Sequence, residues 1–271
     1  MRSSPRSRWL APLLAVACGP VTTPPSQAPS PAPAAHATAP APVQPTILSA
    51  HLARIDDPEL GGKDGLVVVF DAEVDAASLQ ARAFAVVLAD EEPVVPEAVT
   101  LAPASEDDEN RTVLLVGELV AEGGAEPTHV VVVGPVWTED GRRLRGLGAA
   151  VEPFAAGPRV VAAEVLAVAP GRCEGAVRRV RTYWSDELRG VEADDLPRVR
   201  VAGAGAAPRP PSRFDDHDAA HGEAGQDGVL DLCLDDRTAP RRLSIDAGAF
   251  HGPAGHPSAA VELALAVENG R

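Results

Sequence analysis

The side chains best suited to chemistry lie in one polar loop of the C-terminal half, residues 213–228. The metal-competent residues, which occupy a run of nine positions in the loop, are Asp215, Asp216, His217, Asp218, His221 and Glu223. Imidazole and carboxylate ligands together suit Zn²⁺, and carboxylates suit Ca²⁺. A loop of this length is usually either functional or disordered. The loop is therefore the candidate metal site of the chain.

Two further histidines, His251 and His256, follow the strand predicted at 241–250. That strand and the one predicted at 229–235 are separated by a short turn, so we expect them to pair antiparallel. Such pairing would bring both histidines to the end of the domain that carries the polar loop. The alternative is a flexible polar loop whose histidines never converge. The sequence predicts no cofactor other than Zn²⁺ or Ca²⁺ at this loop.

Known catalytic signatures are missing from the sequence. It contains no G-x-S-x-G elbow, no H-E-x-x-H helix, no Walker A loop and no C-x-x-C pair. The leading interpretation is therefore a protein that is not an enzyme. The alternative is a metal-binding protein or metal-dependent enzyme that uses the Asp/His loop.

The two cysteines of the C-terminal half, Cys173 and Cys233, predict a disulfide. The bridge would close a long loop and stabilise the fold by roughly 4 kcal/mol. Alternation in 229–235 puts three leucines on one strand face and Cys233 with Asp231 on the other, away from the main core. The alternative is two half-exposed free thiols.

Residues 1–17 carry three arginines and then a short apolar run that ends before Cys18. The segment resembles a bacterial lipoprotein signal peptide, and the resemblance implies a lipidated Cys18 and a membrane anchor. Gly19 after the cysteine implies the outer membrane, on its periplasmic or cell-surface side. The alternative is an ordinary secretory signal. Residues 18–45 are almost entirely Pro, Ala, Ser and Thr, which predicts a disordered, extended linker.

Composition limits the classes of partner. The chain has 271 residues, a formal charge of −15, 45% hydrophobic residues and 3% aromatic residues. So acidic a chain repels nucleic acid, which excludes that partner. Its cores must be built mainly from Val, Leu and Ala.

The stretch 64–88 organises the rest of the chain. A β-branched run at 66–70 predicts a buried strand, and 83–88 predicts a second. The crossover between them should be anchored inward by Val74 and Leu79. Two strands joined by such a corner are the start of a β-sandwich.

Similar runs between turn signals predict an all-β fold with one sandwich at 46–157 and another at 158–271. In the first, strands are predicted at 47–52, 66–70, 83–88, 94–101, 112–116, 129–137 and 149–154. In the second, they are predicted at 159–168, 177–184, 197–202, 229–235 and 241–250. The acidic turn 107–110 is interpreted as a solvated hairpin tip rather than a Ca²⁺ loop.

The organising stretch is similar to the Ig-like domains of bacterial S-layer and other surface proteins, which have a strand ending in Phe, a turn like F-S-E-P-V-D and an A-S-L segment. The matching residues are Phe70, Asp71, Ala72, Glu73, Val74, Asp75, Ala77, Ser78, Leu79 and Phe84. Glu73 replaces the proline of that pattern. The segment 130–144 resembles the closing turn of such domains, with Arg142 where Asn is usual. The resemblance implies two tandem Ig-like β-sandwich domains and no activity.

The second half repeats the first in weaker form. Trp184 aligns with Phe70 and Glu187 with Glu73, so both copies carry Glu at the proline position, which indicates a duplication. The arginines within 177–181 indicate an edge strand or an arginine-bearing face. The sequence thus favours a cell-envelope lipoprotein with binding or spacer modules, whose partner is an envelope protein or polysaccharide. An exposed edge strand is a third way to recruit a partner.

Overall fold

The computed structural model describes residues 44–55, 63–89, 93–101, 104, 109–120, 124–215 and 228–266. Residues Val43–Arg271 form one compact unit. The all-β prediction is confirmed, because these described ranges contain fourteen strands in four antiparallel sheets and only short 3-10 helices. None of the described helices is long and apolar enough to span a membrane.

The first half forms two facing sheets, ordered β1-β2-β5-β4 and β3-β6-β7. Its strands are β1 (Ile47–Arg54), β2 (Asp64–Phe70), β3 (Phe84–Leu88), β4 (Ala98–Thr100), β5 (Thr112–Gly117), β6 (Pro127–Val132) and β7 (Gly148–Ala150).

The second half repeats this order as β8-β9-β12-β11 and β10-β13-β14. Its strands are β8 (Val160–Leu166), β9 (Arg178–Trp184), β10 (Val199–Gly203), β11 (Arg213–Asp215), β12 (Val229–Leu234), β13 (Pro240–Ile245) and β14 (Val261–Ala264). Four strands facing three, in this order, is the arrangement of the seven-stranded immunoglobulin constant-type sandwich. The repeated order agrees with the predicted duplication, and Phe70 and Trp184 end equivalent strands, both fully buried.

The corner after β2 carries the chain from one sheet of the first sandwich to the other, as the sequence predicts. The Asp75 carboxylate accepts a hydrogen bond from the backbone N of Ala77 at 3.0 Å and so caps a 3-10 helix, Ala76–Ser78. Val74 is wholly buried in the first core, and Leu79 packs against that core. The anchors at both positions are confirmed.

Each sandwich encloses its own apolar core, built largely from aliphatic side chains. In the second core the Trp184 and Phe250 rings meet edge to face, with centroids 5.5 Å apart. The Phe214 ring of β11 also meets the Phe250 ring edge to face, with centroids 5.6 Å apart. Three of the nine aromatic residues thus pack in the second core, and two, Phe70 and Phe84, lie in the first.

One predicted pairing is wrong. β12 pairs with β9 and β11, whereas β13 pairs with β10 and β14 in the facing sheet. The short connection at 235–239 therefore crosses between sheets, because β12 and β13 both turn apolar side chains toward the same core. β9 is also an interior strand, between β12 and β8, and not an edge. The domain boundaries after residues 17, 45 and 157 stay predictions.

Candidate functional site: the junction between the sandwiches

The two four-stranded sheets pack against each other through the faces that point away from their own cores. Val67 and Val69 of β2 alternate along the strand with residues of the first core. Tyr183 of β9 and Val229 of β12 alternate in the same way with residues of the second core. All four are buried together in a third apolar cluster. Because each outer face covers the other, the two sandwiches are joined by a buried interface.

A group of buried charges lies in this junction, centred on Asp231 of β12. Its Oδ2 accepts a hydrogen bond from Arg179 Nη1 at 2.7 Å, and its Oδ1 accepts one from Arg181 Nε at 2.9 Å. The Arg172 guanidinium lies 3.6 Å away. Asp231 and Arg181 are wholly buried. Buried charges of this kind are tolerated only when they are paired and hydrogen-bonded.

The first sandwich contributes Glu109 to the same group. Its Oε1 lies 2.6 Å from Arg172 Nη2 and 3.2 Å from Arg181 Nη2. Burial alone would lower the pKa of Arg181, but its hydrogen bonds to Asp231, with the charges of Asp231 and Glu109, raise that pKa above its ordinary value. Arg181 therefore stays charged and links carboxylates of both halves.

The position of Glu109 contradicts the prediction of a solvated hairpin tip. Glu109 is wholly buried and Asn110 is 9% exposed. The Asn110 amide donates to Glu139 Oε1 at 3.2 Å, within the first sandwich. Glu109 is buried because Arg172 and Arg181 of the second sandwich pair with its carboxylate. In an isolated hairpin that carboxylate would be exposed to water.

Tyr183 lies at the centre of the junction and is 1% exposed. The guanidinium of Arg111, from the first sandwich, lies over its ring at 5.0 Å from the centroid and also pairs with Glu164 of β8. Burial, with a smaller effect of Glu164, raises the pKa of Tyr183 to about 12. The phenol thus reports whether the junction is closed.

The segment that connects the sandwiches is fixed to β1. Glu152 makes two backbone hydrogen bonds to β1. Its N–H donates to the Ala50 carbonyl oxygen at 2.8 Å, and its carbonyl oxygen accepts from the Leu52 N–H at 3.0 Å. His51, 1% exposed, donates from Nε2 to Ala156 O at 3.0 Å. That bond leaves its Nδ1 toward Asp186 of the second sandwich, 3.8 Å from Oδ2. This part of the chain is a bonded connection and not a free hinge.

The predicted disulfide is present: Cys173 and Cys233 are bonded, with sulfurs 2.02 Å apart. Cys233 lies on the face of β12 away from the core, as the sequence predicts, yet it is wholly buried because the face is covered. Asp215 accepts a hydrogen bond from the Cys173 backbone N. Cys173, Asp215 and Cys233 each offer one potential metal-ligand atom, and these three atoms lie within 4.8 Å of one another. Among the described residues, they form the one cluster of potential metal ligands. The disulfide removes both thiolates as metal ligands.

The predicted metal residues are only partly placed. Asp216, His217, Asp218 and His221 lie outside the described residues, as does Cys18. His251 is exposed and His256 is partly exposed; they share one turn, in which Gly252 N donates to His256 O at 2.9 Å.

Gly228, where the polar loop ends, and Gly252 of this turn both pack close to Asp186, while residues 216–227 of the loop lie outside the described residues. A Cβ added at Gly228 would lie 3.4 Å from the carbonyl oxygen of Asp186, and one added at Gly252 would lie 3.0 Å from its Oδ2. The predicted reason for this proximity is wrong, because β12 and β13 do not pair. The metal site itself stays a prediction.

The junction was missed by sequence reasoning, although the arginines of β9 gave a partial signal for it. On β9 the side chains of Arg179 and Arg181 alternate with apolar ones that enter the core. The sequence left an edge strand and an arginine-bearing face open for these arginines, and the arginine-bearing face is the alternative that the structure confirms. Alternating charged residues usually face water, so the sequence did not indicate that a second sheet covers this face.

Comparisons with known proteins identify no family for this chain. No protein-family model matches the chain, and no curated protein matches it. Among solved structures, it is similar to the crystal structure of the N-terminal part of the bacterial S-layer protein SbsC, with 14% identity and a TM-score of 0.30. That match covers 83% of this chain and 44% of the other, so this chain spans less than half of that structure.

Proposed function

We propose that this chain is a non-catalytic lipoprotein of the bacterial cell envelope. In this proposal Cys18 is lipidated and inserted in the outer membrane, residues 18–45 act as a stalk, and the two sandwiches form a single binding or spacer body. The observation that carries the proposal is the buried Cys173–Cys233 disulfide. Stable disulfides belong to exported proteins, because the cytosol keeps thiols reduced.

The junction supports a spacer role. A flexible pair of domains would present its outer faces in variable relative positions, whereas a junction with buried ion pairs and a bonded connection holds the two sandwiches as one body of fixed length. The outward faces of β6 and β13 carry exposed residues in the same pattern and remain accessible. These faces are where an envelope protein or a polysaccharide would bind.

Cell fractionation of a Cys18→Ser variant tests the anchor. The wild-type protein should sediment with outer membranes and need detergent for extraction, while the variant should appear in the soluble fraction. Ser26→Ala, a change in the linker, is the matched control and should remain with the membranes. A Cys18→Ser protein that still needs detergent would contradict the proposed anchor.

A further inference from the structure

We propose that the Cys173–Cys233 disulfide acts across the junction: it fixes the turn that carries Arg172, and so sets the ion pair that Arg172 makes with Glu109 of the other sandwich. The disulfide is then a conformational device that couples the redox state of the second sandwich to the docking of the first.

The turn between β8 and β9 has two backbone hydrogen bonds of its own. Arg172 N donates to Ala169 O at 3.0 Å, and Ala176 N donates to Cys173 O at 3.0 Å. Two more hydrogen bonds tie the turn to β11, from Cys173 N to the Asp215 carboxylate and from Arg213 to the Glu174 carbonyl oxygen. Cys173 has a φ of 50°, which is unfavourable for a residue other than glycine and persists only when its surroundings impose it. The disulfide to β12 is the covalent part of those surroundings.

Arg172 differs in this respect from the other arginines of the ion group. Arg179 and Arg181 lie on β9, where hydrogen bonds to β8 and β12 fix their backbone. Arg172 immediately precedes the disulfide-bonded Cys173, and its side chain is 4% exposed where it meets Glu109. Releasing Cys173 should therefore displace Arg172 and leave the two β9 arginines in place.

The coupling must act in both directions, since linkage between two sites is reciprocal. Reduction by a dithiol transfers two electrons and two protons to the cystine, giving two thiols and the cyclic disulfide of the reagent. Both sulfurs are wholly buried, so the attacking thiolate reaches them only when the turn opens. A closed junction should slow that reaction, and an open junction should speed it.

The first experiment is a urea-unfolding cycle on the full mature chain. Arg172→Met should lower the unfolding midpoint in the oxidised protein, and this shift should fall to roughly half or less in a C173A/C233A background. Arg242→Met, at the exposed ion pair with Glu262, is the control, and its shift should be the same in both backgrounds. Equal Arg172→Met shifts with and without the cysteines would overturn the proposal.

A second experiment leaves the disulfide intact and does not depend on the cysteine-free protein folding. Glu109→Gln, a change in the other sandwich, should accelerate reduction of Cys173–Cys233 by dithiothreitol roughly tenfold, because opening becomes easier. Glu262→Gln, at an exposed ion pair with Arg242, should leave the rate unchanged. A rate unaffected by Glu109→Gln would show that the disulfide has only a local role.

Discussion

Replacing Glu109 by glutamine removes one charge from the junction and keeps the size of the side chain. The Glu109 carboxylate is wholly buried and lies within 3.2 Å of both Arg172 and Arg181. In the variant, Asp231 is the carboxylate of this ion group that still pairs with the two buried guanidinium groups. Removing one partner of a buried ion pair typically costs about 3–5 kcal/mol. We expect Glu109→Gln to lower the free energy of unfolding by that amount.

Urea unfolding at neutral pH, followed by circular dichroism, measures the loss. Glu262→Gln is the control, because Glu262 and Arg242 form a pair that is 72% and 55% exposed, and such pairs contribute less than about 1 kcal/mol. A loss for Glu109→Gln no larger than that of the control would refute the view that the junction is held by buried charge. A large loss for both variants would show that the effect is not specific to the junction.

Two further predictions concern the connection and the cooperativity of the two halves. Gly157→Ala should destabilise the protein by about 2 kcal/mol or more, because a Cβ there would lie 1.9 Å from the carbonyl oxygen of Pro257; thermal unfolding measures this, and an unchanged Tm would contradict the packing. In a variant with both Trp9→Phe and Trp137→Phe, Trp184 is the remaining tryptophan and its fluorescence reports the second core; its urea transition should coincide with the circular dichroism transition of the whole chain. Separate transitions would show that the sandwiches unfold independently.

Much of the fold follows from local sequence. The β-branched run that ends at Phe70 and the inward anchor at Val74 predict β2 and its corner, because each depends on neighbours only a few residues away. The repeat of this pattern at Trp184 predicts the second sandwich. The disulfide also follows from the sequence, since the second half holds two cysteines in a chain whose first 17 residues predict export.

The errors concern relations between distant segments. Nothing near Glu109 reveals the arginines that bury it, because they come from a different sandwich. The short connection before β13 looks like a hairpin turn, and only the shared core between facing sheets shows that it crosses from one sheet to the other. Local pattern thus predicts strands and faces, while the partner of each face depends on packing over the whole chain.

Spectrophotometric titration of Tyr183, the single tyrosine of the chain, tests the docked junction most directly. Burial favours the neutral phenol, so Tyr183 in the folded protein should ionise with a pKa of about 12, against 10.0 for an exposed tyrosine. Because the unfolded chain loses this proton first, the contribution to stability is complete below pH 10 and is lost as the pH rises toward 12. A phenol that ionises near pH 10 while the β-sheet signal is intact would contradict a closed junction between the two sandwiches.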